Sequence, residues 1–167
     1  MALNAVLRLT GQKQGEIKGS CLQKGRVDTI AVIAVSHEIV SPRDSASGLP
    51  TGKRQHKPLV ITKELDKSSP LLYNVLVNNE NISEFNLEFW TPQLSAQTGV
   101  GAEKQHYTME LVNANIASIA FRMLNNKNPE LTRYAEYEEV AFTYQKIEWT
   151  WKDGGITAED DWEAPMA

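Results

Sequence analysis

Glu138-Glu-Val-Ala-Phe-Thr-Tyr-Gln-Lys-Ile-Glu-Trp-Thr-Trp-Lys152 carries the pattern on which the fold turns. Val140, Phe142 and Tyr144 share one parity, while Ile147, Trp149 and Trp151 share the other. Side chains alternate across a strand, so each run of period two reads as a strand with one inward face. The parity changes near Gln145–Lys146. That change predicts either a β-bulge or a strand that leaves one sheet and enters a second.

The same period recurs outward from this stretch. Residues 3–10 set Leu3, Ala5, Leu7 and Leu9 against Asn4, Val6 and Arg8, and residues 82–90 set Phe85, Leu87 and Phe89 against Glu84, Asn86 and Glu88. Residues 106–122 form another long strand candidate. Residues 27–40 are β-branched and apolar on both parities, which predicts a long strand covered on both sides. Gly11, Gly15, Gly19 and Gly25 punctuate residues 11–25 as turns around a short edge segment, and Gly99-Val100-Gly101 reads as a hairpin loop. One helix is signalled. Ser68-Ser69-Pro70 offers a cap, taken as Ser69, with proline at the first helical position, so the helix should cover about residues 70–78. Asn74 and Asn78 share one narrow face, and Leu71, Leu72, Tyr73, Val75, Leu76 and Val77 fill the remaining arc. A stripe that wide needs cover on its outer side from a loop or another subunit.

The chain has 167 residues, 41% of them hydrophobic and 23% charged, which suits one domain over residues 1–167. Its net charge of −4 argues against nucleic acid and anionic lipid, which would repel it. Cys21 stands alone, so no intrachain disulfide forms and a reducing compartment suits the chain. No cleaved signal peptide and no membrane-inserting run is expected. Residues 41–57 form a long polar loop in which Arg43, Lys53, Arg54 and Lys57 face one acid, Asp44. The segment 153–167 opens on the turn signal Asp153-Gly154-Gly155 and carries Asp153, Glu159, Asp160, Asp161 and Glu163 with no basic residue.

Chemistry is sparse. His37, His56 and His106 have no metal-ligand spacing and read as satisfied or solvent-facing side chains, so no metal or other cofactor is expected. Ser36 and His37 are strand neighbours that point to opposite faces, which excludes a nucleophile–base pair. No phosphate-binding glycine loop or nucleophile elbow occurs. The acidic residues lack the ligand order of a calcium loop. These absences move the expectation from an enzyme to a structural or binding protein.

Several segments together resemble the Hcp family, the haemolysin-coregulated tube proteins of type VI secretion. They are Asp28–Val35 before His37-Glu38; His56-Lys-Pro-Leu-Val-Ile-Thr-Lys-Glu-Leu-Asp-Lys-Ser-Ser-Pro-Leu-Leu-Tyr73; Tyr107–Asn115; and Tyr144–Gly155 followed by Asp161-Trp162. Their order spans nearly the whole chain, while residues 11–26 and 92–105 are not diagnostic. The resemblance implies a mainly β, phage-tail-tube-like fold: a compact β-barrel of two sheets with one flanking α-helix. It also implies head-to-tail hexameric rings that stack into a tube and are expelled with a VgrG-type spike from a contractile sheath, some holding small effectors in the channel. Such a protein sits in the cytoplasm before firing and outside the cell afterwards. Arg43, Asp44, Lys53, Arg54, His56, Tyr73, Val77 and Trp162 are the candidate oligomer-interface residues. The opposed charges of loop and tail would help register between subunits, and the sequence leaves open whether loop and tail meet. Two rival readings are a ligand- or carbohydrate-binding β-barrel stacking its ligand on Trp90, Trp149 or Trp151, and a hydrolase whose carboxylates converge only in three dimensions.

Overall fold

The computed structural model describes residues 4–93 and 102–163, and strands dominate it. β1 (Asn4–Gly11) folds back on the short edge strand β2 (Gly15–Ile17). β3 (Ile30–Val32), β4 (Ala34–Ser36) and β5 (Ile39–Val40) follow in one pass; β6 (Gln55–His56) lies at the end of the polar loop, and β7 (Leu59–Glu64) and α1 (Ser69–Val77) come after it. β8 (Ile82–Gln93), β9 (Ala102–Val112), β10 (Asn115–Arg122), β11 (Tyr137–Thr143), β12 (Lys146–Trp151) and β13 (Ile156–Asp161) complete the order. The expected strand contribution of Leu3 and the Gly99–Gly101 hairpin lie outside the described residues.

One sheet runs β13-β12-β9-β8-β1-β2 with β3 also on β1, and the second runs β10-β11-β7-β4. The core lies between them. Leu7, Leu9, Phe85, Leu87, Leu111 and Ile147 enter from the first sheet, and Leu59, Ile61, Val140 and Phe142 from the second. Phe85 and Phe142 meet edge to face across the gap, 4.9 Å between centroids. Each such side chain contributes about 1.5–3 kcal/mol when fully buried, and this layer is the main source of stability.

The parity switch after Tyr144 is a change of sheet. β11 belongs to the second sheet and β12 to the first, and Gln145 N–H donates to Val112 C=O (3.1 Å) at the corner. The neighbouring pass does the same in reverse, because β9 and β10 lie in different sheets. Asn113 turns that corner at φ 51°, so the single strand expected over residues 106–122 is two strands. The run 27–40 is also broken. β3 pairs with β1 and β4 with β7, joined at Ile33, whose N–H donates to Thr62 C=O (2.8 Å). Its apolar residues on both parities therefore reflect two half-strands of different sheets rather than one strand covered on both faces. Ile33 is 60% exposed. Among the described residues the two sheets share these corners, but their ladders do not close into one barrel: the first ends on β13 and on β2 and β3, the second on β10 and β4.

The helix is shifted by one residue from its expected start. Ser68 occupies the cap position without a side-chain cap bond, and Ser69 rather than Pro70 is the first helical residue. Asp66 organises this end instead: its Oδ1 accepts from Ser68 N–H (2.9 Å) and from the Ser68 hydroxyl. Leu72 and Val75 are buried, and the helix packs beside β10. Leu71, Tyr73 and Val77 remain exposed, Val77 at 74%. Tyr73 and Val77, four apart, form one outer stripe that stays partly open to solvent. At the other edge, Glu80 Oε1 accepts from Lys13 and Gln14 N–H (2.6 and 2.8 Å) in the turn between β1 and β2.

Candidate functional site

Residues 41–57 are a hairpin arm rather than an irregular loop. Ile39 pairs with His56 and Val40 with Gln55 at its root, and Arg43 bridges Pro50 near its tip. Asp44 closes the tip, its carbonyl accepting from Gly48 N–H (2.9 Å) and its Oδ1 from the Ala46 and Ser47 N–H groups (3.1 and 2.7 Å). Those bonds, Ser47's first, hold the Asp44 carboxyl below the usual range. Gly48 takes φ 71°, a conformation that suits a residue without a Cβ.

The arm's root meets the acidic segment within the same chain. Gly154 (φ 83°) and Gly155 (φ 65°) turn the chain back so that β13 pairs with β12. This places Asp160 beside the root: its carboxylate accepts from Arg54 Nη2 (2.7 Å) and from His56 Nε2 (2.7 Å), and Arg54 also donates to Asp161 C=O (2.8 Å). The Arg54 guanidinium, then His56, outweigh burial and keep the Asp160 carboxyl below the usual range. His56, whose side chain is 1% exposed, reaches Tyr144 Oη through Nδ1 (2.8 Å), and Tyr144 Oη reaches His37 Nε2 (2.7 Å). Burial first, then the negative charge of Asp160, pushes the Tyr144 phenol far up. Burial, then the charge of His56, pushes His37 down. Trp162 covers the cluster, its indole N–H donating to Tyr144 C=O and its ring 5.7 Å from that of His56.

Of the candidate interface residues, the structure thus brings together Arg54, His56 and Trp162. Arg43, Asp44 and Lys53 lie further out on the arm, and Tyr73 and Val77 lie on the helix. Arg54, His56 and Trp162 line an open groove of about 690 Å³ that also takes in Lys53 and Glu163. Reading the sequence missed Tyr144 and His37 as partners of His56. The available signal was the concentration of polar, hydrogen-bonding residues at the parity switch and the arm root, where apolar residues are expected.

A second ionic cluster lies under the helix. Lys63 on β7 and Glu138 on β11 are register partners, both 0% exposed, and their Nζ and Oε1 are 2.6 Å apart. Lys63 also donates to Ser69 Oγ (3.0 Å) and Glu64 C=O (3.0 Å) and sits 3.1 Å from Asp66. Ser69 donates to Glu138 Oε1 (2.8 Å), which is where the expected cap residue makes its bond. The hydrogen bonds of Ser68 and Lys63 outweigh burial and hold the Asp66 carboxyl down.

The rival chemistries find poor support in these positions. Arg26 lies over the Trp90 ring at 4.4 Å, Trp149 packs against the core, and Trp151 stands 45% exposed beside His106. Glu16, Asp28 and Glu84 share a groove of about 250 Å³ with Arg8. Lys67 holds the Asp28 carboxyl down, the wrong direction for a general acid. No helix is long and apolar enough to cross a membrane, and no group of three histidine, cysteine, aspartate or glutamate side chains could hold a metal ion, both among the described residues.

Two antiparallel sheets exchanging strands at corners, one flanking helix and a basic arm clasped by an acidic strand define a β-rich class of protein. Residues 7–151 match the family model described as type VI secretion system effector, Hcp, and the chain belongs to that family. It is 37% identical to the "Major exported protein" of Pseudomonas aeruginosa, an alignment covering 100% of this chain and 99% of that protein. Among solved structures, it matches a crystal structure of an Hcp protein at TM-score 0.86 and 29% identity, over 98% of this chain and 100% of the other. It also matches the secreted protein Hcp3 from Pseudomonas aeruginosa at TM-score 0.76 and 31% identity, over 98% and 100%. The resemblance read from the sequence is thereby confirmed as family membership.

Proposed function

We propose that the chain, acting as one domain, is the structural subunit of a type VI secretion tube. Six copies join head to tail in a ring, rings stack, and the tube is expelled with a VgrG-type spike by a contractile sheath, carrying small effector proteins in the channel. The observation that carries this reading is the apolar stripe on the outer side of α1, where Val77 is 74% exposed and Leu71 and Tyr73 are each 37% exposed. An isolated soluble subunit gains nothing from an apolar helix face left in water, whereas a ring covers it. Arg43, Lys53, Tyr73 and Val77 make the intersubunit contacts, and Asp44, Arg54, His56 and Trp162 act by shaping and seating the arm. In this reading no turnover is involved. The subunit waits in the cytoplasm and leaves without a cleaved signal.

Analytical ultracentrifugation at micromolar concentration tests this. A ring of six is expected, and a Tyr73→Asp/Val77→Asp double variant should sediment as a folded monomer, because a charge in the covered stripe loses its hydration. A native protein that sediments as an 18.7 kDa monomer would overturn the proposal.

A further inference from the structure

Tyr144 has one hydroxyl proton and two imidazole neighbours. His37 Nε2 lies 2.7 Å from its oxygen and His56 Nδ1 lies 2.8 Å from it, while His56 Nε2 lies 2.7 Å from the Asp160 carboxylate. A phenol donates one hydrogen bond, and an imidazole nitrogen either donates or accepts. With both rings neutral, the bonds run one way. His37 Nε2–H donates to Tyr144 Oη, Tyr144 O–H donates to His56 Nδ1, and His56 Nε2–H donates to Asp160.

One added proton fits this chain. Placed on His56 Nδ1, it donates to Tyr144 Oη, the phenol turns to donate to His37 Nε2, and the neutral His37 ring carries its proton on Nδ1. A second does not fit. Both imidazoles would then aim N–H groups at one oxygen, the phenolic proton would lose its acceptor, and two cations would face each other across a single atom.

The remaining charges do not offset that conflict. From the arm, Arg54 is engaged with Asp160, Lys57 pairs with Glu38 (3.0 Å), and Lys53 lines the outer groove. From β13 and the segment beyond it, Asp161 accepts from Gln145 (3.2 Å), and Glu163 stands at the rim of the groove. From β12, Lys146 pairs with Glu159 (2.6 Å).

We propose that His37, Tyr144, His56 and Asp160 form a latch that accepts one proton but not two, so that mild acid loosens the root of the arm, where Ile39 and Val40 pair with His56 and Gln55, while Arg54 still holds Asp160. The latch lies within one chain and gives a regulation to the arm, whose Arg43 and Lys53 the assembly reading places at intersubunit contacts. The direction follows from His37, whose affinity for a proton is lowered by burial and by His56. A depressed histidine contributes stability that is fully present above its ordinary value of about 6.5 and is lost as the pH falls below it. Asp160 is also depressed, but its contribution is lost only below the ordinary carboxyl value of about 3.9. Loosening therefore falls in the histidine window.

The test combines nitrogen NMR of labelled histidine rings with amide exchange, corrected for intrinsic rates, at about pH 7.5 and about pH 5. At the higher pH the two rings should hold one extra proton between them at most. At the lower pH, protection of the root amides, Lys57 N–H among them, should fall at least tenfold while β8 and β9 hold. His37→Gln keeps an amide donor but takes up no proton, so its arm should stay protected in acid. Tyr144→Phe should lose arm protection at both pH values. Unchanged protection of the native arm, or loss of protection in His37→Gln equal to that of the native chain, would overturn the latch. Should His37→Gln fail to fold, native rings that both titrate above about pH 5 with the arm still protected would do the same. Sedimentation in the same buffers reads assembly separately. Absence of rings at both pH values with the latch titrating as described overturns the assembly reading and supports the latch.

Discussion

The two ionic clusters, one under the helix and one at the root of the arm, both tie a cation to a carboxylate beside a hydroxyl, and they differ in solvent. Lys63 and Glu138 are wholly buried and belong to two ladder-paired strands. The arm cluster is graded, from His56 at 1% side-chain exposure to Arg54 at 20% and Asp160 at 26%, and it joins segments that share no ladder. Removing one partner of a dry pair leaves a charge with nowhere to go. Near water the same loss is softened, and titratable groups can respond to pH. The first cluster therefore holds the second sheet and the helix in place, and the second is positioned to respond.

The largest effect that separates the clusters is expected at Lys63. Lys63→Met should lower the unfolding free energy by about 3–5 kcal/mol, because Glu138 stays buried without its cation. The double variant Lys63→Met/Glu138→Leu should recover most of that loss in denaturant unfolding, since an apolar pair of similar volume avoids the desolvation cost. Tyr144→Phe comes next. It strands His37 Nε2 and His56 Nδ1 and should cost about 1–3 kcal/mol in the same assay, with the pH dependence below about 6.5 flattened. An equal cost for Tyr144→Phe and Lys63→Met would show that the two clusters do not differ in this way. Lys57→Ala should be smallest. The pair with Glu38 is more than half exposed on both sides, so a change of at most about 0.5 kcal/mol is expected, vanishing in high salt.

Much of the architecture was legible because strand period acts over neighbouring residues. Phe85 and Leu87 alternate inward as the sequence reads, and the switch after Tyr144 is a real change of sheet. The Ser68–Pro70 signal placed the helix to within one residue. The acidic segment misled, since Thr157 to Asp161 carry little apolar pattern and yet form a strand on β12. Pairing with an existing edge supplied what local preference lacked. The run 27–40 misled in the other direction, because residues apolar on both parities describe one buried strand and two half-strands equally well.

The sequence by itself determined the β class, the helix, the position of the arm and, through ordered segments, the family. Those properties depend on spacings of two to four residues and on order along the chain. Only the tertiary structure decided that Lys63 meets Glu138, 75 residues away, and that Arg54 meets Asp160, 106 residues away. It also decided that the basic arm and the acidic segment meet inside one chain rather than only between chains. A charge attracts any opposite charge, so composition states that pairs are available and not which form. The choice falls to the register of β7 on β11, which their buried apolar faces fix, and to the pairing of β13 along the edge of β12.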